Sequence, residues 1–349
     1  MGVLTTITTG KSMNKTIMRL GLDLAKSVFV LYGVDERGKC RLRRRLRRSE
    51  VLNFFAKLEP CLVGMEAGSG AHYWARELRA LGHDARIMDA RLVAPYRSQG
   101  QTGKNDSNDA AAICEAVSRP HMRFVPIKDV DQQAVLIVHR VRKSRVEQQN
   151  RIANQLRGLL AEFGIVIPRG LKRLTREWPD MRQRDADRVP ALAWQELDML
   201  YQRLGDLHEE ILSYDRRIQT HVRRDTRVAR LCTVNGIGPI TASALVATIG
   251  NGRDFRNGRQ FAAWLGLVPR QASSGGRNSL GRITKRGDTY LRTLLIHGAR
   301  AELMHVHRRP DKKSQWAHRL RENKPWNKAA VALANKHARQ AWAILCQAA

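Results

Sequence analysis

Up to about residue 127, short apolar runs of strand length alternate with amphipathic stretches of helix length. Residues 17–24 and 28–34 are apolar and rich in β-branched side chains, which predicts two strands. Asp35-Glu36-Arg37-Gly38 is a turn signal, and beyond it Leu42 and Leu46 recur among arginines over residues 40–46. That spacing predicts a third strand and an antiparallel meander. A helix is predicted over about 49–58, a strand over 61–66, a helix over 70–82 and a strand over 84–88. A further helix opens near Asp106.

Strand-strand-strand-helix-strand-helix-strand-helix is the element order of an RNase H-like α/β fold, here expected over residues 17–127. The next region, 128–224, changes period. Ala134, Val138, Val141, Ile152, Leu156, Leu159 and Phe163 recur at helical spacing. A stretch rich in Pro, Arg and Asp, about 168–190, reads as a loop. After it, Leu197, Leu200, Leu204, Leu207, Ile211, Tyr214 and Ile218 repeat with alternating gaps of three and four, the seam of a coiled coil. Such a seam packs equally well on the preceding long helix or on a second copy of the chain. The last region, 225–349, is expected to be mainly α. It opens on Gly236-Ile237-Gly238-Pro239, the glycine turn of a helix-hairpin-helix element, where backbone N–H groups can approach a phosphate.

Charge changes this picture most. Lys and Arg number 62 against 32 Asp and Glu, a net charge of +30. Such an excess asks for a polyanion, most simply nucleic acid. No apolar run approaches the roughly 20 residues of a membrane-spanning helix, so no membrane partner is expected. The five scattered cysteines, with no Cys-x-x-Cys pair, fit reduced thiols and a cytoplasmic location rather than a zinc module. Three basic tracks stand out. Residues 37–48 hold eight basic side chains and no acid, including Arg41, Arg43, Arg44, Arg45, Arg47 and Arg48. So much arginine is expected to keep the strand's other face from being buried. Arg140, Arg142 and Lys143 begin a second track along the first long helix. Arg270, Arg277, Lys285 and Arg286 surround a third, with Arg282 and Arg292.

Against this excess, four acids are placed where an acid is costly or directed. Asp23 lies in a predicted apolar strand, where a charge needs a partner or a metal. Glu66 ends the fourth strand. Asp106 and Asp109 lie three apart at a helix start, on one helical face. In an RNase H-like sheet the first and fourth strands are neighbours, so Asp23 and Glu66 would project side by side. Clustered oxygen ligands suit Mg2+, with Mn2+ as the alternative, and support in-line phosphoryl displacement. Taken singly, each acid also fits a helix cap or a solvated strand end. The Ser273-Ser274-Gly275-Gly276 run between Arg270 and Arg277 is, by itself, a flexible basic loop; its arginines could stabilise charge on a phosphate under attack.

Together these motifs resemble a known family. The Asp–Glu–Asp–Asp order, the Gly-Ile-Gly-Pro hairpin, and the runs Leu-Gly-Leu-Val-Pro-Arg, Ser-Ser-Gly-Gly and Ile-Thr-Lys-Arg-Gly-Asp are similar to those of the DEDD transposases. These are the recombinases of insertion-sequence family one-ten, related to the Piv invertase. The resemblance runs from about Ile17 to the C-terminal helices. It implies a RuvC-like N-terminal domain with Asp23, Glu66, Asp106 and Asp109 as metal ligands. It also implies a C-terminal transposase domain whose serine nucleophile falls on Ser274, with Ser273 the second choice. Strand exchange through a covalent phosphoserine, a structured guide (bridge) RNA pairing with target and donor DNA, and assembly into dimers and tetramers are implied with it. Two other classes remain alongside: a metal-dependent structure-specific nuclease resembling a Holliday-junction resolvase, and a non-catalytic nucleic-acid-binding protein.

Overall fold

Three strands, β1 (Arg19–Asp23), β2 (Val28–Val34) and β3 (Cys40–Arg47), form an antiparallel meander, with Asp23 opposite Val30 and Val28 opposite Arg47. The computed structural model of the protein describes residues 17–97, 106–272 and 279–347, and for Asp106 and Ser107 the backbone alone. They form two compact units, divided between Asp129 and Val130.

In the first unit a helix α1 (Val51–Ala56) leads into β4 (Leu62–Glu66), then α2 (Ala71–Ala80), β5 (Asp84–Met88), the short α3 (Ala90–Val93), α4 (Asp106–Val117) and β6 (Phe124–Val125). The sheet order is β3-β2-β1-β4-β5-β6, with β1, β4 and β5 parallel. This mixed sheet with helices fits an RNase H-like domain. Alternation along the strands sorts the two faces. Leu20, Leu22, Val63 and Met65 point to one face and share a core with Phe55, Trp74 and Leu78 of α1 and α2. Gly21 and Gly64, paired in register, point to the other, against α4. A Cβ on Gly21 would lie 2.0 Å from the Ala110 carbonyl oxygen, and one on Gly64 would lie 2.7 Å from Val117 Cβ. The absent side chains form the trough in which α4 lies.

The arginine-rich strand departs from expectation: Leu42 and Leu46 are buried in the core of the α1–α2 face. As an edge strand, β3 leaves its arginines open to solvent while its leucines turn inward. Arg44, between them in register, lays its guanidinium 5.5 Å from the centre of the Phe54 ring. Its stem thereby covers apolar surface instead of forbidding it.

The second unit begins with α5 (Val130–Ala161), α6 (Leu171–Arg184) and α7 (Ala191–Arg224). Arg142 pairs with Asp215 and Arg145 with Glu210, so advancing positions on α5 meet receding ones on α7 and the two helices are antiparallel. The apolar seam of α7 packs within the chain: Leu197 and Leu204 join Leu156 and Leu160 in one core. The stretch expected to be a loop contains α6. Leu174, Trp178 and Met181, spaced four and three apart, bury one narrow stripe, while the other positions are mostly charged. Composition concealed a helical stripe made by only three residues.

The chain continues through α8 (Thr226–Leu231), α9 (Pro239–Ile249), α10 (Gly258–Trp264), the hairpin strands β7 (Pro269–Gln271) and β8 (Leu280–Ile283), α11 (Thr289–Leu303), α12 (Lys312–Asn323) and α13 (Trp326–Gln347). The glycine turn between α8 and α9 sits against α11 and α13. Gly236 has φ +84°, and its missing Cβ would lie 2.4 Å from His337 Cε1. Lys313 donates to the Asn235 carbonyl and to Glu302, and Glu302 meets His337 at 2.7 Å. Among the described residues, no helix is long and apolar enough to cross a membrane.

Candidate active site at the carboxyl ends of β1 and β4

The meander extends to one side of β1 and the parallel strands to the other, so the chain's direction of travel across the sheet reverses between β1 and β4. At such a switch point the carboxyl ends of two neighbouring strands open a crevice, where open α/β sheets bind ligands. Asp23 and Glu66 are the last residues of these strands, each one step past the paired Leu22 and Met65. Each also lies two residues beyond its trough glycine, which aims both carboxylates at the α4 face. Asp109, on the first turn of α4, comes to the same place because the glycine trough lets the helix backbone approach.

Arg97 joins the set. Its Nη2 lies 2.9 Å from Glu66 Oε1 and its Nε lies 2.7 Å from Asp109 Oδ1. Burial pushes the Glu66 carboxyl above its ordinary range; Arg97 opposes that push, while Asp109, Asp23 and Asp89 add to it. Four carboxylates thus share one electrostatic neighbourhood. Asp106 opens α4, but its side chain lies outside the described residues. Among the described side chains, no three His, Cys, Asp or Glu stand together as a closed metal cage. The Arg97 guanidinium lies between Glu66 and Asp109. The surrounding donors are hard carboxylate oxygens, the set that a divalent ion such as Mg2+ takes.

Two participants escaped the sequence reading. Asp89 follows β5 by one residue and so lies in the same row of strand ends, a position the strand prediction could have exposed. It is already engaged: it caps α3 and its pair with Arg91 holds its carboxyl below the usual range. Arg97 carried no signal, being one arginine among many.

The basic residues divide. Arg41 pairs with Asp35 at 2.8 Å, and Arg43 and Arg48 lie over aromatic rings. Arg45 and Arg47 are exposed on β3, and Arg140 on α5. Arg142 faces α7 and pairs with Asp215 in the interface of the two helices. Lys143 pairs with Glu147 at 3.5 Å and remains exposed. Arg270, Lys285 and Arg286 are exposed around the β7–β8 hairpin. Arg292 is buried and donates to the Leu265 and Arg286 carbonyls, holding the base of that hairpin. Ser273, Ser274 and Arg277, between β7 and β8, lie outside the described residues.

Comparison with known proteins shows the family to which the chain belongs. A DEDD transposase model of the IS110 type matches residues 20–165, and the model described as transposase IS116/IS110/IS902 family matches residues 228–317. A probable family 20 transposase of Pseudomonas aeruginosa is 50% identical over 330 residues, covering 94% of this chain and 97% of that one. The transposase for insertion sequence element IS1111A of Coxiella burnetii is 40% identical, covering 95% of this chain and 90% of its own. The transposase for insertion sequence element IS1328 of Yersinia enterocolitica is 38% identical, covering 94% and 96%. Matched in both its α/β and its helical parts and at this identity over nearly its whole length, the chain belongs to the IS116/IS110/IS902 family of transposases, enzymes that cut and rejoin DNA.

Proposed function

We propose that the protein transposes its insertion element by serine chemistry directed by a structured RNA, with Asp23, Glu66, Asp106 and Asp109 holding Mg2+. The observation that supports this most is the convergence of Asp23, Glu66 and Asp109 at the sheet's switch point, with Arg97 spanning two of them. A magnesium ion bound there would supply Lewis-acid stabilisation of the phosphate oxygens. The protein's own groups do the remainder. The Ser274 hydroxyl attacks a DNA phosphodiester: an Oγ–P bond forms, one P–O ester bond breaks, and the departing strand oxygen leaves as a hydroxyl once protonated. Attack by the hydroxyl of a second strand reverses these events, releases Ser274 and joins the new ends. No external energy source is needed, because each ester bond replaces another. Arg270, Arg277, Lys285 and Arg286 would neutralise the phosphate under attack.

In this reading, residues 17–127 hold the metal, 128–224 align copies of the chain, and 225–349 carry the nucleophile. The α7 seam is partly used within the chain, so dimers and tetramers would form through what α5 and α7 leave exposed. RNA guidance accords with basic tracks that suit phosphate backbones and with a sequence lacking a base-reading module. Action would be in the bacterial cytoplasm, at the nucleoid. The test is a denaturing gel of the full chain incubated with element-end DNA, guide RNA and Mg2+. A covalent protein–DNA adduct is expected, and it disappears in Ser274→Ala and in Asp23→Ala. Continued cutting by Ser274→Ala without an adduct would replace this reading with that of a resolvase-like nuclease.

A further inference from the structure

Resting on the nucleic-acid reading above, we infer that the first unit holds a subsite for one unpaired nucleotide, stacked on Tyr73 with its phosphate held by Lys26 and Arg47. The site is a cleft of about 720 Å³, a size that holds a nucleotide, and no carboxylate lines it. Its walls come from three parts of the fold. Lys26 and Ser27 lie in the turn from β1 to β2. Arg47 ends β3 and Arg48 follows it, its amide donating to the Ser27 carbonyl at 2.9 Å. Tyr73 and Trp74 lie in the first turn of α2.

The two aromatic residues differ in what they offer. Trp74 is 3% exposed, and the Arg48 guanidinium lies 5.1 Å from its ring centre, so it forms the floor. Tyr73 is 39% exposed and meets Trp74 edge-on at 5.1 Å, which leaves it available to a flat partner. Basic groups beside an exposed aromatic ring are the chemistry that takes single strands, because every base has a π-face and every nucleotide a phosphate. A base inside a duplex cannot enter such a cleft without leaving its stack. The cleft opens at the sheet end where Asp23 and Glu66 lie, on the α2 face. The carboxylates project from the other face of the sheet, toward α4, so the subsite is separate from them.

The unpaired nucleotide could come from RNA or from DNA opened during strand exchange. The test measures fluorescence anisotropy of the full chain with labelled single-stranded RNA, single-stranded DNA and duplex DNA of matched sequence. For whichever single strand binds more tightly, Tyr73→Ala should weaken binding by about five- to a hundredfold. Lys26→Ala should also weaken it, Tyr73→Phe should restore it, and duplex affinity should stay constant. RNA or DNA as the tighter ligand identifies the source. Unchanged single-strand affinity in Tyr73→Ala, or an equal loss for duplex and single strand, overturns the subsite. Neither result touches the Ser274 adduct, so failure here is distinguishable from failure of the proposed chemistry.

Discussion

His139 shows at the scale of one residue how burial dictates a protonation state. It is fully buried in the second unit, with Nε2 3.0 Å from Ser243 Oγ and Nδ1 3.1 Å from the Tyr290 hydroxyl. Desolvation, with Arg142 and His221 adding, lowers its pKa from 6.5 to about 4. Between those values the unfolded chain binds a proton that the folded chain does not, so stability falls as pH drops through that window. At about 1.4 kcal/mol per pH unit, the loss is up to about 3 kcal/mol. Urea unfolding at about pH 7 and about pH 4.5 should show it, and His139→Gln, although less stable at neutral pH, should lose less on acidification. Glu302 and His337, both lowered, act in the same direction and leave a residual slope. His139 is among the buried residues of α5, yet its partners lie 104 and 151 residues away, and no local pattern points to them.

At the scale of elements, the seating of α4 on β1 and β4 decides whether the candidate site exists. Gly21→Ala would force a Cβ against the Ala110 carbonyl and the Cys114 amide, both backbone and neither able to swing aside. Overpacking of this kind costs about 1–3 kcal/mol, and here the helix can relax only by withdrawing Asp109 from Glu66. Expected outcomes are a lower midpoint of thermal unfolding and loss of DNA cutting. Gly205→Ala is the control: this exposed position in α7 has nothing within 4 Å of the added carbon, and stability should rise by about 0.5–1 kcal/mol. Had both variants the same effect, the trough would be irrelevant. Strand positions were legible because alternation and turn residues are local; β5 matches its expected limits, 84–88. Nothing local marks Gly21 and Gly64 as the seat of a helix, and α6 read as a loop because a stripe of three buried residues is faint against so much charge.

At the scale of the whole molecule, +30 sets how the protein meets nucleic acid. Screening and counterion release make such binding steeply salt-dependent. Arg43 and Arg45 lie on the same face of β3, opposite to Leu42 and Leu46. Replacing both with glutamine should weaken duplex binding to all sequences alike. It should also reduce the slope of log affinity against log salt by about 1.5–2, from two lost phosphate neutralisations. A loss confined to one sequence would instead make them base readers. Arg142, counted with them by composition, should leave that slope unchanged, since its charge is spent on Asp215.

In the α/β part the sequence by itself determined the order of the principal strands and helices, the antiparallel meander and the placement of Glu66 at a strand end, whereas Asp23, expected within its strand, is its last residue. The first three follow from periodicity and turn chemistry among near neighbours. It also determined that the partner is a polyanion, because net charge is a sum and needs no coordinates. Tertiary structure alone decided which charges remain available. Arg97 is claimed by Glu66 and Asp109, Arg142 by Asp215 across 73 residues, and Arg292 by the base of a hairpin, while Tyr73 and Lys26 are left facing a cleft. An ion pair or a cleft depends on distances between segments far apart in the chain, and those distances exist only once the cores have packed.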